Sequence, residues 1–455
     1  MRIYIDSHPF KICYHIKGNL NESIIDSLKS ILLRDIDEFN PNKDFLENHV
    51  EIGPRRNFKT SWNSNVLQIL NKCGINDVES VEYFTFYPKD FTPDIDKMLY
   101  EEFSDKDEIK LFEKSYYVLN IIKFNKTHKL GFDEQDINYY QNIFKDLQRP
   151  PTNVELFDLS QCNSEHARHW FFRGKFSENG IIIDEPNLIN KLKTTLNING
   201  NSLISFKDNA SVIKGKLNDS FVVVNNKLEK IKSHINFSYK AETHNFPTGI
   251  SPFPGAETGV GGRIRDNLAV GNGGRLIAGT AGYCVGDIDQ AYDYVLNSPK
   301  KILIEASNGA SDYGNKIGEP LIQGFTRTFR KDFNEGRIEW LKPIMFSGGI
   351  GKILQSNIYK NKSQYNNMIG RVGGAAYRIG IGGGSASSRT QDKKNLKQDF
   401  DSVQRGDPEM ANKVVKFIRA CCSLEENPIL SIHDQGSGGM ANVTRELAEP
   451  NGANV

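Results

Sequence analysis

The chain has 455 residues, and Lys+Arg 57 against Asp+Glu 56 leave it close to neutral. That balance offers neither a basic field to collect nucleic acid nor an acidic tail. The apolar fraction of 38% is enough for real cores, the length suits about two to four domains, and nothing approaches the ~18 consecutive apolar residues of a membrane span.

The opening MRIYIDSHPFKICYHIKG lacks the continuous apolar stretch of a signal peptide and reads as an edge-type strand. Six cysteines, Cys13, Cys73, Cys162, Cys284, Cys421 and Cys422, form no CxxC pair and read as reduced thiols of a cytoplasmic protein. NESIIDSLKSILL predicts a helix capped by Asn21, with Ile24, Leu28, Ile31 and Leu32 on one face. VESVEYFTFYP predicts a strand that ends at Pro88. Residues 1–148 thus read as a small α+β domain without a catalytic cluster. A break at Pro150 and Pro151 precedes a helix from about Asn153, with the Thr-Asn pair and Glu155 at its start. Residues 149–202 read as a linker with helical pieces.

From residue 203 the runs FVVVNN, KILIEAS, KPIMFSGGIG and AAYRIGIGGG look strand-like and alternate with glycine turns, which predicts an α+β domain over 203–385. Residues 386–455 begin another. PEMANKVVKFIRACCSL places Met410, Val414, Ile418 and Cys421 at helical spacing, a strand is expected to run into His433 and Asp434, and a helix is expected from about Gly439. PNGANV makes a turn and opens a strand of three residues, which leads us to expect a chain that stops inside a domain and is poorly soluble or oligomeric by itself.

Three stretches could carry chemistry. GAETGVGG has phosphate-loop glycine spacing without the Gly-Lys-Ser/Thr ending, and GIGGGS puts Ser385 where a dinucleotide fingerprint has glycine, so phosphate contact and ordinary tight turns both stay open. If CNSEHARHW is helical, Cys162, His166 and His169 share one face like a zinc tripod, although no fourth ligand is evident. Residues 240–266, KAETHNFPTGISPFPGAETGVGGRIRD, crowd Lys240, Glu242, His244, Arg263, Arg265 and Asp266 onto a glycine-rich frame. Glu242 and His244 share a face if the segment is a strand. Glu242, Asp266 and Asp434 each stand where a strand meets a glycine turn, and such oxygen ligands suit magnesium arriving with phosphate. A surface salt-bridge cluster is the alternative.

These stretches, together with SQCNSEHARHWFFRGKF, AGTAGYC, KPIMFSGGIG, RIGIGGGSASS, SVQRGDPEM and ILSIHDQGSGG, resemble the large formylglycinamide ribonucleotide amidotransferase (phosphoribosylformylglycinamidine synthase) family of purine biosynthesis over residues 150–455. Residues 1–145 are similar to it only in position and general character. The resemblance implies an α+β fold: an N-terminal domain like the family's small accessory subunit, a helical linker, and aminoimidazole-ribonucleotide-synthetase-like domains with the last incomplete. It implies ATP-dependent conversion of formylglycinamide ribonucleotide to the amidine through an iminophosphate, attacked by ammonia from a glutaminase.

Carried over residue by residue, it makes His166 and His244 catalytic. Lys240, the run Gly255, Ala256, Glu257, Thr258, Gly259, Val260, Gly261, Gly262, Arg263, Ile264, Arg265 and Asp266, and Gln323, Gly324 and Phe325 become ATP contacts. Thr243, His244, Asn245, Arg265 and Gln404 become substrate contacts, and Glu242, Asp266 and Asp434 magnesium ligands. Phe246 stands where many bacterial members have a second histidine, and Ala167 where cysteine is common. The family's second synthase half and glutaminase have no counterpart here, so both are expected partners in cis or in trans, and the chain alone is expected to be inactive. Two other readings stay open: a different ATP-dependent enzyme of the synthetase superfamily, and a non-catalytic nucleotide-binding or assembly subunit.

Overall fold

The computed structural model describes all residues except 8, 34–35, 56–59, 94, 97–98, 104–114, 165–168, 198–199, 225–226, 291, 293–295, 375–381, 389–394, 437 and 454–455. The described residues fall into two compact units, one within 1–114 and one within 115–455. The fold is α+β. Among the described residues no helix is long and apolar enough to cross a membrane.

In the first unit, strands β1 (Arg2–Asp6) and β2 (Lys11–Gly18) form an antiparallel hairpin, followed by helices α1 (Glu22–Leu32) and α2 (Lys43–Asn48), β3 (His49–Pro54), α3 (Ser61–Lys72), β4 (Val78–Pro88) and β5 (Tyr100–Glu102). The sheet order is β1-β2-β4-β3-β5, so the opening strand lies at an edge as expected. Asn21 caps α1 by accepting from the Ile24 amide at 2.9 Å. Leu28 of α1 and Leu70 of α3 are fully buried and pack with Ile3, Ile5, Tyr14, Ile16 and Val81 from one sheet face. Side chains alternate along strands, so Cys13 and His15 turn to the opposite face, beside the ring of Phe84.

The second unit opens with α4 (Ile121–His128), α5 (Glu134–Asp146) and α6 (Asn153–Cys162). Phe124, Phe144 and Leu156, one from each helix, share a core. The boundary expected near 148 falls inside this cluster. The expected helix start is present: the Thr152 hydroxyl accepts from the Glu155 amide while the Glu155 carboxylate accepts from the Thr152 amide. The helix ends at Cys162, and His169 has φ 55. The continuous helix required for the zinc tripod therefore does not form, and His166 lies outside the described residues. Short elements follow: α7 (Trp170–Arg173), β6 (Ser177–Glu178), β7 (Ile181–Ile182) and α8 (Leu188–Thr194).

A six-stranded sheet forms the centre of this unit. It contains β8 (Ser202–Ile204), β9 (Ser211–Val224), β10 (Lys227–Thr243), β11 (Arg275–Val285), β12 (Leu321–Thr328) and β15 (Ile344–Leu354) in the order β12-β11-β15-β10-β9-β8. Between β10 and β11 come helices α9 (Asn245–Ile250) and α10 (Pro252–Leu268), and between β11 and β12 comes α11 (Pro299–Ile317). A hairpin of β13 (Arg330–Phe333) and β14 (Gly336–Glu339) precedes β15. Val260 and Ile264 of α10, Ala306 and Ala310 of α11, Tyr283 of β11 and Met345 of β15 make the main core. Helices α12 (Gly383–Ser387), α13 (Leu396–Ser402), α14 (Pro408–Cys421) and α15 (Gly439–Ala448) complete the unit. Ile418 of α14 joins the same core.

Three expectations change here. KILIEAS is helical, because Ser298 caps the segment, Pro299 occupies its first turn, and Ile302, Ala306, Ala310 and Tyr313 recur at helical spacing well beyond the apolar run. The glycine turn expected after His244 is the 17-residue helix α10. The strand expected to run into His433 and Asp434 is absent: among the described residues 429–436 form no ladder, and an extended run without a partner is not a strand. Most of the AAYRIGIGGG run lies outside the described residues.

Candidate active site

Lys240 and Glu242 stand two apart near the end of β10 and so face the same side of the sheet. That side is covered by α10. A Cβ placed on Gly262 would lie 2.0 Å from Glu242 Oε1, and one on Gly255 would lie 2.4 Å from the Pro247 carbonyl carbon. These glycines admit the neighbouring strand and helix. The side chains of Ala256, Val260 and Ile264 are core, and Arg263 is fully buried against Glu319 at 2.6 Å. The run Gly255–Ile264 is thus helical rather than a turn, and close helix-to-sheet packing explains its glycine spacing.

The far end of α10 brings the charges together. The Lys240 ammonium lies 2.5 Å from Asp266 Oδ2 and 3.6 Å from Glu242 Oε2. Asn209, in the loop before β9, donates its amide to Asp434 Oδ1 at 2.5 Å and to Asp266 Oδ1 at 3.4 Å. Arg265 Nε is 3.9 Å from Asp434 Oδ2. Lys360 donates to Asn209 Oδ1 at 3.1 Å and pairs with Asp208 at 2.6 Å. Burial, then the neighbouring Asp434 charge, pushes the Asp266 carboxyl up, with Lys240 opposing. Burial likewise pushes Glu242 up. Burial pulls at Lys240 in the other direction, but Asp266 and Glu242 outweigh it and hold the ammonium above its ordinary value. The site is thus a half-buried carboxylate cluster compensated by Lys240, with Arg265 beside Asp434 and Lys360 beside Asp208.

Of the expected metal ligands, Asp266 and Asp434 share one amide donor, and Glu242 reaches Asp266 only through Lys240. Among the described residues the three do not bring donor atoms within 4.8 Å of one another. A pair of carboxylates is still a fitting donor set for a hard cation that completes its shell with water and phosphate. Asn209, Asp208 and Lys360 escaped the sequence reading. SFKDNAS looks like an ordinary polar loop, and only its position before β9 carries a signal.

His244 follows β10 at the start of α9. Its Nδ1 lies 2.6 Å from the Gly255 carbonyl. A carbonyl can only accept, so Nδ1 carries the proton and Nε2 is the basic nitrogen of the neutral ring. The Thr258 hydroxyl stands 3.3 Å from the same Nδ1. Thr243 pairs with Phe346 in the sheet, and Asn245 accepts from the Met345 amide at 3.1 Å, so that carboxamide oxygen ties α9 to β15. Phe246 is buried beside Val403. Gln404 is half-buried just before Gly406, which packs on Tyr313 and Glu257. Gln323, Gly324 and Phe325 lie on the exposed edge strand β12, with β11 and β15 between it and β10. At about 4.8 Å per step that is roughly 14 Å from the strand of Lys240, and the structure does not bring them into the cluster. Ser385 donates to the Leu130 carbonyl at 2.9 Å, which makes GIGGGS a tie to the helical segment.

Residues 121–169 match the formylglycinamide ribonucleotide amidotransferase linker domain, and residues 368–455 match the C-terminal domain of AIR synthase related proteins. A probable phosphoribosylformylglycinamidine synthase of Arabidopsis thaliana, described as chloroplastic/mitochondrial, is 42% identical over 97% of this chain and 35% of its own length. The phosphoribosylformylglycinamidine synthases of Dictyostelium discoideum and Homo sapiens are each 39% identical, over 100% and 89% of this chain and 38% and 34% of theirs. Among solved structures, T. maritima PurL complexed with FGAR is similar at 26% identity and a TM-score of 0.45, over 69% of this chain and 41% of that one. The chain thus spans about a third of the length of the curated relatives it matches. Sequence identity sustained from end to end, with the linker and synthetase-related matches in order, shows that the chain belongs to the phosphoribosylformylglycinamidine synthase family.

Proposed function

We propose that this chain supplies part of the synthase that converts formylglycinamide ribonucleotide to its amidine with ATP, magnesium and ammonia released from glutamine elsewhere in the enzyme. The observation that carries the reading is the convergence of Lys240, Glu242, Asp266 and Asp434 beside α10 in a chain 42% identical to a relative named for that activity. Asp266 and Asp434 would hold magnesium, which would neutralise phosphate charge. Lys240 stands ready to meet a nucleotide phosphate, and Arg265 and Gln404 to meet substrate. His244, oriented by Gly255, offers Nε2 to take a proton from attacking ammonia. His166 is proposed as a second catalytic group on the family resemblance alone. The remaining synthase portion and the glutaminase are the proposed partners, and free thiols throughout the described residues support a cytoplasmic setting. The two rival readings lack a comparable observation.

The test is His244→Gln in a complete enzyme carrying this segment. We expect amidine formation to fall by about 10²–10⁴-fold with ammonium as well as with glutamine. A loss confined to the glutamine-dependent rate would assign His244 to coupling and overturn the role. Residues 1–455 alone, given ATP, magnesium, ammonium and substrate, are expected to form little or no amidine.

A further inference from the structure

Cys13 and His15 are two apart on β2 and point to the sheet face left uncovered by α1 and α3. Glu51 of β3 joins them across β4. Donor atoms of all three lie within 4.8 Å of one another, and among the described residues no other trio of His, Cys, Asp or Glu does so. His15 Nε2 is 2.6 Å from Glu51 Oε1. The imidazole is fixed by stacking on Phe84 at 3.9 Å and by the edge of Phe103 at 4.6 Å. Arg2 approaches the other carboxylate oxygen, Oε2, at 3.9 Å, which leaves Oε1 for the cluster. Cys13 is fully buried, whereas the side chains of His15 and Glu51 remain 14% and 10% exposed, so the group is reached from their side.

We propose that Cys13, His15 and Glu51 form a binding site for a divalent ion of the zinc class, with three protein ligands and a fourth position for water. One thiolate, one imidazole and one carboxylate make a mixed donor set that suits zinc and disfavours magnesium or calcium, which take oxygen ligands. A protein-bound ion here would pin β2 to β3, strands that are not neighbours in the sheet. Binding forms the sulfur–metal bond and breaks the S–H bond, and the proton leaves to solvent. It also replaces the contact between His15 and Glu51, and the proton that His15 Nε2 donates to the carboxylate in the metal-free chain passes by way of solvent to Nδ1, so the neutral imidazole ligates with no further net proton release. The thiol ligates as the thiolate, so proton release accompanies binding at neutral pH. Thiolate and carboxylate together balance the ion's charge.

Cobalt(II) is the probe, titrated into the full 455-residue chain. We expect one ion per chain, an absorption band from thiolate-to-cobalt charge transfer, release of one proton measured in buffers of different ionisation enthalpy, and a higher unfolding temperature. Cys13→Ser should abolish the band, and His15→Gln and Glu51→Gln should each weaken binding at least about tenfold. Cys162→Ser should change nothing. Absence of stoichiometric cobalt in the wild-type chain would overturn the site whatever the variants do. So would a band that survives Cys13→Ser or disappears in Cys162→Ser, because the ligand would then be another thiol. Circular dichroism of each variant separates loss of ligand from loss of fold.

Discussion

Arg263 and Glu319 are both completely buried and pair at 2.6 Å, with Arg263 also donating to the Thr280 carbonyl at 2.9 Å and to Ser347 at 3.1 Å. Removing one partner strands a buried charge. Arg263→Met should therefore cost about 3–5 kcal/mol in urea denaturation, and the double variant Arg263→Met/Glu319→Leu should recover much of that loss. Equal losses in the single and double variants would mean that the hydrogen bonds to Thr280 and Ser347, not the ion pair, set the cost. Glu257 calls for a different experiment. Burial, then the charge of Asp312, pushes its carboxyl from 4.5 up to about 7. Such a group binds more protons in the folded chain than in the unfolded one. Its contribution favours the fold fully below pH 4.5 and is lost as pH rises through 7. The shift corresponds to something on the order of 3 kcal/mol between those limits. Glu257→Gln should flatten the fall in stability across this window and stabilise the chain at pH 8. An unchanged slope would show that Glu257 ionises normally.

At the scale of elements, glycine does opposite things on the same helix. On α11, a Cβ at Gly309 would meet the Phe253 carbonyl oxygen at 2.2 Å, whereas one at Gly314 would find its nearest neighbour at an ordinary 3.5 Å. Alanine favours a helix over glycine by about 1 kcal/mol. Gly314→Ala should accordingly stabilise by up to that amount. Gly309→Ala should destabilise by on the order of 1–3 kcal/mol, because the contact between α10 and α11 must open. Thermal melts of the two variants decide the matter, and a stabilising Gly309→Ala would contradict the packing described. The same contrast explains what was legible in the sequence. Helices with local signals, such as the Asn21 cap of α1 and the Thr152–Glu155 box of α6, were readable because capping is decided within four residues. The charges of Lys240, Glu242 and Asp266 were readable as well, and the strand that gives Lys240 and Glu242 a shared face was readable only as a condition. The helical state of Gly255–Asp266 was not, since glycines that admit a neighbouring backbone look in sequence like glycines that admit phosphate. Asn209 and Lys360 were missed for a related reason: their partners lie 225 and 151 residues away in the chain, and no local pattern announces a contact of that range.

Over the whole molecule, each compact unit has its own apolar core. Leu28 and Leu70 pack with the strands of the first unit, and Val260 and Ile264 pack with the helices and central sheet of the second. A single two-state transition presupposes one cooperative core, and chains with several cores depart from it. Calorimetry of the full chain should therefore resolve more than one transition. Truncation of a buried aliphatic side chain costs about 2–5 kcal/mol in the unit that contains it. Leu28→Ala should lower one transition and leave the other in place, and Ile264→Ala should do the reverse, because each side chain belongs to the core of its own unit. The assignment can be checked with the intrinsic fluorescence of Trp62, which packs against the first core and should follow the transition that Leu28→Ala lowers. If both substitutions shift every transition equally, the two cores fold as one cooperative body, and stability measured on any variant above would report on the entire chain rather than on the unit that carries the substitution.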